Sequence, residues 1–276
     1  MSALELLAGS WSEAAEGYEA ELVPRFDPWT RDALAQLTEH APNLPAGACV
    51  VPTCGPGQEL PMVAAALGPE REVVGSDLSP GMIERAQVHA AAAGPQCIAV
   101  VADAMELLCD GPLAAVLTVF GLQQLPDPVA AVTAWCAKLE PGGVAVVCFW
   151  PPGGVESSGP WATYSSLVAT RVGSQERKQP TASWDEQLTA AAEAGGAEVL
   201  LDAEPEHAME WPDGDAIFEG MSRGGPWHAT RMRRGDAFME EIKGEFLAVH
   251  PVGKAVRHRP HARLLVFRKL GGVAAM

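Results

Sequence analysis

The stretch Val50-Val51-Pro52-Thr53-Cys54-Gly55-Pro56-Gly57-Gln58-Glu59, followed by Val73-Val74-Gly75-Ser76-Asp77, decides the reading of this chain. It reads as an apolar strand, a glycine turn, a helix, a second apolar strand and an acid at that strand's tip. Together these make half of a nucleotide-binding βαβ unit. Glycine is needed in the first turn because a side chain there would keep a ligand away from backbone. The following helix points its free N–H groups and positive dipole end back at the ligand. An acid about twenty residues on is placed to bind the two hydroxyls of a ribose.

The turn also separates ligand classes. A dinucleotide fingerprint requires a third glycine three residues beyond the second, where helix and strand pack closely. Here Leu60 fills that position, which disfavours a dehydrogenase. Downstream of the turn, four further tracts occur in order. They are Asp77-Leu78-Ser79-Pro80-Gly81-Met82, Val101-Ala102-Asp103-Ala104, Leu122-Gln123-Gln124-Leu125-Pro126-Asp127-Pro128 and Ala137-Lys138-Leu139-Glu140-Pro141-Gly142-Gly143. This series, over roughly residues 47–150, resembles class I S-adenosylmethionine-dependent methyltransferases, of the type that acts on ubiquinone, menaquinone and other small molecules. The tract Ala262-Arg263-Leu264-Leu265-Val266-Phe267-Arg268-Lys269 resembles that superfamily's last strand.

The resemblance implies a Rossmann-like, seven-stranded, mostly parallel sheet with helices on both faces, an antiparallel last strand and a helical lid insertion. The residues independently predict alternating strands and helices, the pattern of a parallel sheet covered on both faces. Strands are expected at 48–52, 72–76, 96–101, 114–119, 144–149, 197–201 and 262–268. Helices are expected at 3–22, 28–40 (capped near Asp27), 59–67, 80–93, 128–139 and 185–194. The sixth strand can bend on towards Met209. After Trp150 the run Pro151-Pro152-Gly153-Gly154 breaks the alternation, and Trp161, Trp184, Trp211 and Trp227 follow within the next eighty residues. The organisation read from this is an N-terminal helical lid over 1–45, a core over 46–211 and 251–276, and an inserted helical substrate lid over 212–250. A connection of that length on a compact domain is usually functional.

Composition bounds the partners. The net charge of −16 argues against nucleic acid, whose phosphates dominate such affinity. The charge is uneven: residues 1–110 carry a net of −12 and residues 223–270 a net of +7. The basic region can attract a small anion or dock against the acidic part. No run approaches 18 apolar residues, and the start (Met1-Ser2-Ala3-Leu4-Glu5) lacks a basic, apolar leader, so a cytoplasmic protein without a membrane span is expected. The six cysteines show no C-x-x-C spacing and read as buried free thiols, with no metal site. Cys54 stands apart because it lies inside the turn.

For the cofactor, S-adenosyl-L-methionine, the resemblance implies the following contacts. Gly55 and Gly57 let backbone approach the methionine part and ribose, with Thr53 and Cys54 at the same turn. Relatives carry an acid at or near Thr53, and Pro52-Thr53 departs from that pattern. Asp77 is assigned to the ribose hydroxyls, and Leu78 and Met82 to the adenine face. Asp103 and the Ala104 N–H are assigned to the adenine edge, although Asp103 also reads as a helix cap. Phe120 faces the methionine end.

Substrate and catalytic candidates are Gln123, Gln124 and Trp150 at the carboxyl edge of strands four and five, and Tyr18, Trp227, His228 and Arg231 in the lids. Tyr18 reads equally well as helix packing. Trp227 reads as lid packing or as an apolar or cation-holding wall. His228 is the candidate general base. Methyl transfer requires one only when the nucleophile carries a proton; the larger part comes from proximity and orientation, up to roughly 7–11 kcal/mol. The expected acceptor is a small metabolite of anionic or aromatic character, through an O, N, S or C nucleophile. Other chemistry promoted by the sulfonium, or a non-catalytic partner role, stays open, as does oligomeric state.

Overall fold

The computed structural model describes residues 3–152, 159–173, 183–224 and 226–271. The chain divides into two compact units. The sheet unit comprises Pro28–Pro151, Ser183–Pro205 and Ala262–Met276; the helical unit comprises Met1–Asp27, Pro152–Ala182 and Glu206–His261. This division departs from the sequence boundaries. Residues 28–45 go with the sheet, while 159–173, 206–211 and 251–261 go with the helices.

In the sheet unit, β1 (Ala48–Pro52) is buried at all five positions. That is the character of a central parallel strand covered on both faces. With β2 (Val73–Asp77), β3 (Cys97–Val101), β4 (Leu113–Val119), β5 (Leu139–Phe149), β6 (Ala197–Ala203) and β9 (Arg263–Lys269) it forms a seven-stranded sheet. The order is β3-β2-β1-β4-β5-β9-β6, and β9 runs antiparallel to both its neighbours. The predicted fold class is therefore correct. Because the chain moves outward from β1 through β2 and β3 and then returns to β4, the strand order reverses between β1 and β4. Ligands in open α/β sheets bind at the carboxyl ends of the strands at such a point.

Helices α2 (Val23–His40), α3 (Leu60–Leu67), α4 (Pro80–Ala93), α5 (Pro128–Lys138) and α7 (Leu188–Ala194) accompany the sheet. The sequence sets their starts in recognisable ways. Ser79 accepts from the Met82 N–H at 3.2 Å ahead of Pro80, and Asp127 accepts from the Ala130 N–H at 2.9 Å ahead of Pro128. The α5 face buries Ala131, Val132, Trp135 and Cys136 into a core with Val147, Phe149, Leu265 and Phe267. The Trp135 indole N–H is satisfied by the Ala104 carbonyl at 2.9 Å. Leu60, where a dinucleotide fold would carry its third glycine, is fully buried. Its room comes from the strand beneath: a Cβ on Gly75 would lie 2.8 Å from Leu60 Cδ1. The glycine has moved from helix to strand, and close packing is kept.

Several sequence expectations are corrected. α2 begins at Val23, with Pro28 inside the helix instead of at its start. A proline there forfeits one backbone hydrogen bond, a loss that burial of Trp29, Ala33 and Leu37 offsets. Met209 does not extend β6. It opens β7 (Met209–Trp211), which pairs antiparallel with β8 (Val256–His258) in a separate two-stranded sheet. The segment after Trp150 contains an unpredicted helix, α6 (Pro160–Val172). Gly153 and Gly154 of the expected break lie outside the described residues.

The helical unit holds α1 (Ala3–Glu21), α6, α8 (Gly214–Gly224), α9 (Pro226–Arg234) and α10 (Asp236–Val249) with the β7–β8 pair. Its core is aromatic. Tyr164 stacks on Trp227 at 3.9 Å between centroids, and Phe218 and Phe246 flank them. α1 and α8 cross closely: a Cβ on Gly224 would lie 2.2 Å from the Gly17 backbone. Among the described residues no helix is long and apolar enough to cross a membrane.

His258 gives this unit a pH dependence. It is buried beside the Trp161 ring, 4.5 Å between centroids, and burial, aided by His250, lowers its pKa to about 4. The folded state thus favours the neutral ring relative to the unfolded chain, whose value is near 6.5. Stability from this group is complete above about pH 6.5 and declines as pH falls towards 4, by up to about 3 kcal/mol. Urea unfolding at pH 7 and pH 4.5 should show the loss in the wild type and a distinctly smaller one in His258→Phe. Parallel pH profiles in the two proteins would count against this assignment.

Candidate functional site

The carboxyl ends of β1, β2, β3, β4 and β5 carry the sheet-unit residues that the sequence singled out. β1 ends at Pro52, and Thr53 then turns into the left-handed region at φ 60°, followed by Gly55 at 54° and Gly57 at 79°. For glycine this costs nothing, whereas for a β-branched residue it is an outlier. Thr53 is held there by its hydroxyl, which bonds Thr118 Oγ1 at 2.8 Å and the Pro52 carbonyl. The first bond ties the end of β1 to the end of β4 across the strand-order reversal. Phe120, just past β4, is also left-handed, with φ 56°. Strained backbone of this kind clusters at functional sites.

Asp77 clamps the glycine turn. Its Oδ2 accepts from the Gly55 N–H at 3.0 Å and its Oδ1 from the Ser79 N–H at 2.9 Å. Burial raises its pKa, opposed by the backbone N–H groups of Ser79, Gly55 and Leu78. A Cβ on Gly57 would lie 2.7 Å from Ala86 Cβ, so only glycine lets the turn lie this close to α4. Cys54 is buried under the turn, and its thiol pKa is pushed well up by burial, then by Asp77 and Glu59.

The remaining candidates are placed as follows. Leu78 is half-buried, while Met82 is buried in the α4 core. Asp103 Oδ1 accepts from the Met105 N–H at 2.9 Å, so its cap role is present alongside any adenine contact. Ala104 is buried. Phe120 and Trp150 stack with centroids 3.8 Å apart and an 8° interplanar angle, and Trp29 meets both edge-on at 5.8 and 5.3 Å. Gln123 Nε2 donates to the Phe120 carbonyl at 2.5 Å, and Gln124 donates its backbone N–H to Gly121.

Buried polar atoms without a hydrogen-bond partner within the protein call for water, an ion or a ligand. Among the described residues of the sheet unit these atoms are Gln58 Oε1, Glu59 Oε2, Ser76 Oγ and Gln123 Oε1. All four lie on the segments that follow β1 and β4 or at the tip of β2. An S-adenosyl compound suits the three that follow β1 or lie at the tip of β2, since it brings an ammonium, ribose hydroxyls and an adenine amine as donors. Sequence reasoning missed Glu59, Ser76, Thr118, Gly121 and Trp29. Only Gly121, a glycine directly after an apolar strand, carried a signal.

The helical unit holds the other candidates. Trp227 is 4% exposed and stacked on Tyr164, so it is a core residue of this unit and not an open wall. Tyr18 is half-buried, edge-on to Trp11 and Phe26. His228 Nδ1 lies 3.2 Å from the Ser222 carbonyl, and its Nε2 is 3.9 Å from Glu13 Oε2. Arg231 is paired with Asp236 at 2.6 Å. A cleft of about 640 Å³ within this unit is lined by Glu13, Gly17, Glu21, Arg223, His228 and Arg231, acids along α1 and cations from α8 and α9. No group of three or more metal-ligating side chains occurs among the described residues.

Comparison with known proteins bears on the family and the fold. A family model described as a methyltransferase domain matches residues 52–143. Trans-aconitate 2-methyltransferase of Methylobacterium radiotolerans is 32% identical over 188 residues, 62% of this chain and 68% of that protein. Demethylmenaquinone methyltransferase of Thermus thermophilus is 31% identical over 146 residues, 48% of this chain and 64% of that one. Among solved structures, phosphoethanolamine N-methyltransferase 2 of Haemonchus contortus, bound to phosphomonomethylethanolamine and S-adenosylhomocysteine, superposes with a TM-score of 0.56 at 15% identity. That alignment covers 98% of this chain and 61% of the other. A cyclase aligns at a TM-score of 0.51 and 19% identity over 86% of this chain and 82% of its own, so the fold by itself does not determine the chemistry. The chain belongs to the class I S-adenosylmethionine-dependent methyltransferases. It is an enzyme of that class, and S-adenosylmethionine is its cofactor.

Proposed function

We propose that this methyltransferase acts on a small metabolite that is a carboxylic acid or a quinone-like aromatic, through an O, N, S or C nucleophile. The observation that carries the placement of its site is the group of orphaned acceptors around the Asp77-clamped turn. When bound, the cofactor supplies a methyl group already activated on a sulfonium. The protein's task is then to hold, orient and dry the reacting pair.

In this reading Gly55, Gly57, Thr53 and Cys54 shape the turn that receives the amino-acid end, and Asp77 takes the ribose. Leu78 packs on the adenine, Met82 backs it from the α4 core, and Asp103 and Ala104 hold its edge. Phe120 and Trp150, stacked and braced by Trp29, form a rigid apolar wall that excludes water at the carboxyl edge. Gln123 hydrogen-bonds substrate through Oε1. Substrate selection is assigned to the cleft of the helical unit, with Arg231, released from Asp236, as the group for an anionic acceptor. His228 serves as base where the nucleophile carries a proton, because its Nε2 has no hydrogen-bond partner. Tyr18 lies on the same helix as Glu13 and is assigned to orienting the acceptor.

The test is calorimetric titration with S-adenosylhomocysteine, followed by a screen with methyl-labelled cofactor against small di- and tricarboxylic acids and demethylated quinones. Micromolar binding with label transferred to one of these classes supports the proposal. Binding with transfer to neither class rejects the acceptor assignment. No binding by folded protein rejects the site.

A further inference from the structure

Glu59 follows the glycine turn directly, with helical backbone angles ahead of Leu60, and is only 3% exposed. Its Oε2 is buried without a partner. The titratable groups facing it are Asp77 at the tip of β2 and the Cys54 thiol in the turn, neither of them a cation. α4 meets this turn through the methyl group of Ala86. A buried acceptor left in this state costs about 1–3 kcal/mol. A carboxyl beside a second carboxylate adds like-charge repulsion whenever both ionise. Burial, reinforced by Asp77, pushes the Glu59 pKa up to about 8, so the free protein holds this group mostly protonated near neutral pH.

The cofactor brings what this environment lacks. Its amino-acid end carries an ammonium, a sulfonium and one carboxylate, a net positive charge, and positive charge is what stabilises an ionised carboxylate in a dry setting. The turn that Glu59 flanks is the one assigned to that end. We infer that Glu59 is a further cofactor-binding residue, which answers the positive charge of the bound cofactor and releases its proton to solvent as the cofactor enters. Atoms and charge balance simply: the carboxyl O–H ionises, the proton passes to buffer, and the carboxylate stays paired with the bound cation. Two carboxylates then face one cationic ligand, Asp77 from the strand tip and Glu59 from the helix start. The inference rests on the site proposed above.

The test is calorimetry of S-adenosylmethionine binding in two buffers of different ionisation enthalpy, which reports protons released per site. Wild type should release close to one proton more than Glu59→Gln at pH 7, and the variant should bind about ten-fold more weakly. A pH series provides a second measurement. The excess release over Glu59→Gln, in which the cofactor's own amine titration cancels, should shrink towards zero by about pH 10, where Glu59 is ionised before binding. Equal release and equal affinity in the two proteins overturn the inference. So does an excess over the variant that does not change with pH. A folded wild type that binds no cofactor instead overturns the site itself, and shows as absence of heat in both buffers.

Discussion

An Asp77→Ala variant is expected to lose cofactor affinity by about a hundred-fold or more while staying folded. The side chain does two jobs with the same two oxygens. It clamps the Gly55 and Ser79 N–H groups at 3.0 and 2.9 Å, and in the proposed site it also accepts from the ribose. Hydrogen bonds to a charged acceptor contribute about 1.5–3 kcal/mol each, and a hundred-fold in affinity corresponds to about 2.7 kcal/mol. Truncation therefore removes direct recognition and releases the turn at once. The stability cost should be smaller than two such bonds, because the wild-type carboxylate bears a desolvation penalty that the variant escapes. Asp77→Asn should be nearly as damaging to binding, since its amide nitrogen turns a donor towards a backbone N–H. Titration with S-adenosylhomocysteine decides the matter, with urea unfolding as the control. A dissociation constant within about three-fold of wild type would remove Asp77 from the site.

The second large effect concerns Gly121. A Cβ there would lie 1.8 Å from Thr53 Oγ1, 2.4 Å from Thr53 Cβ and 3.0 Å from Thr118 Oγ1. Thr53 cannot swing aside easily, because its left-handed backbone is strained and its hydroxyl is engaged by Thr118. Gly121→Ala should destabilise the protein by about 3 kcal/mol, at the upper end of overpacking costs, and weaken cofactor binding along with it. Adding Thr53→Gly should recover most of that loss. Glycine adopts the left-handed turn without penalty and vacates the space the new methyl needs. Urea melts of the two single variants and the double variant give the coupling directly. Additive losses would mean that the contact between these two residues is not what Gly121 is there to permit.

What the sequence made legible follows from which signals are local. Apolar runs at 48–52 and 72–76, the Gly55/Gly57 turn and the acid at 77 each announce themselves within a few residues. The alternation of strands with helices then gives a parallel sheet, whereas the order of its strands is set by contacts distant in sequence. Tertiary burial is different. Nothing near Glu59 marks it as a buried acid, because its surroundings are assembled from β2 and the turn. Trp29 meets Phe120 and Trp150 from ninety and more residues away. The three-residue strands β7 and β8 are too short for any periodicity. Trp227 carries two readings in sequence, packing or an open wall, since a tryptophan in a basic helix reads the same whether it faces outward or, as here, lies against Tyr164. The left-handed Thr53 is legible only in coordinates, as its residue type argues against the conformation it adopts.

Cys54 is a reporter already installed in the turn. Its thiol is sealed between the Gly55 carbonyl and Gly75 and kept un-ionised by burial. Electrophiles attack thiolates, so alkylation at this position must wait for the turn to lift. Its rate then becomes a clock for local opening, readable by mass spectrometry without any engineered label. Occupancy of the turn by ligand would slow that clock, and each variant that loosens the Asp77 clamp would speed it.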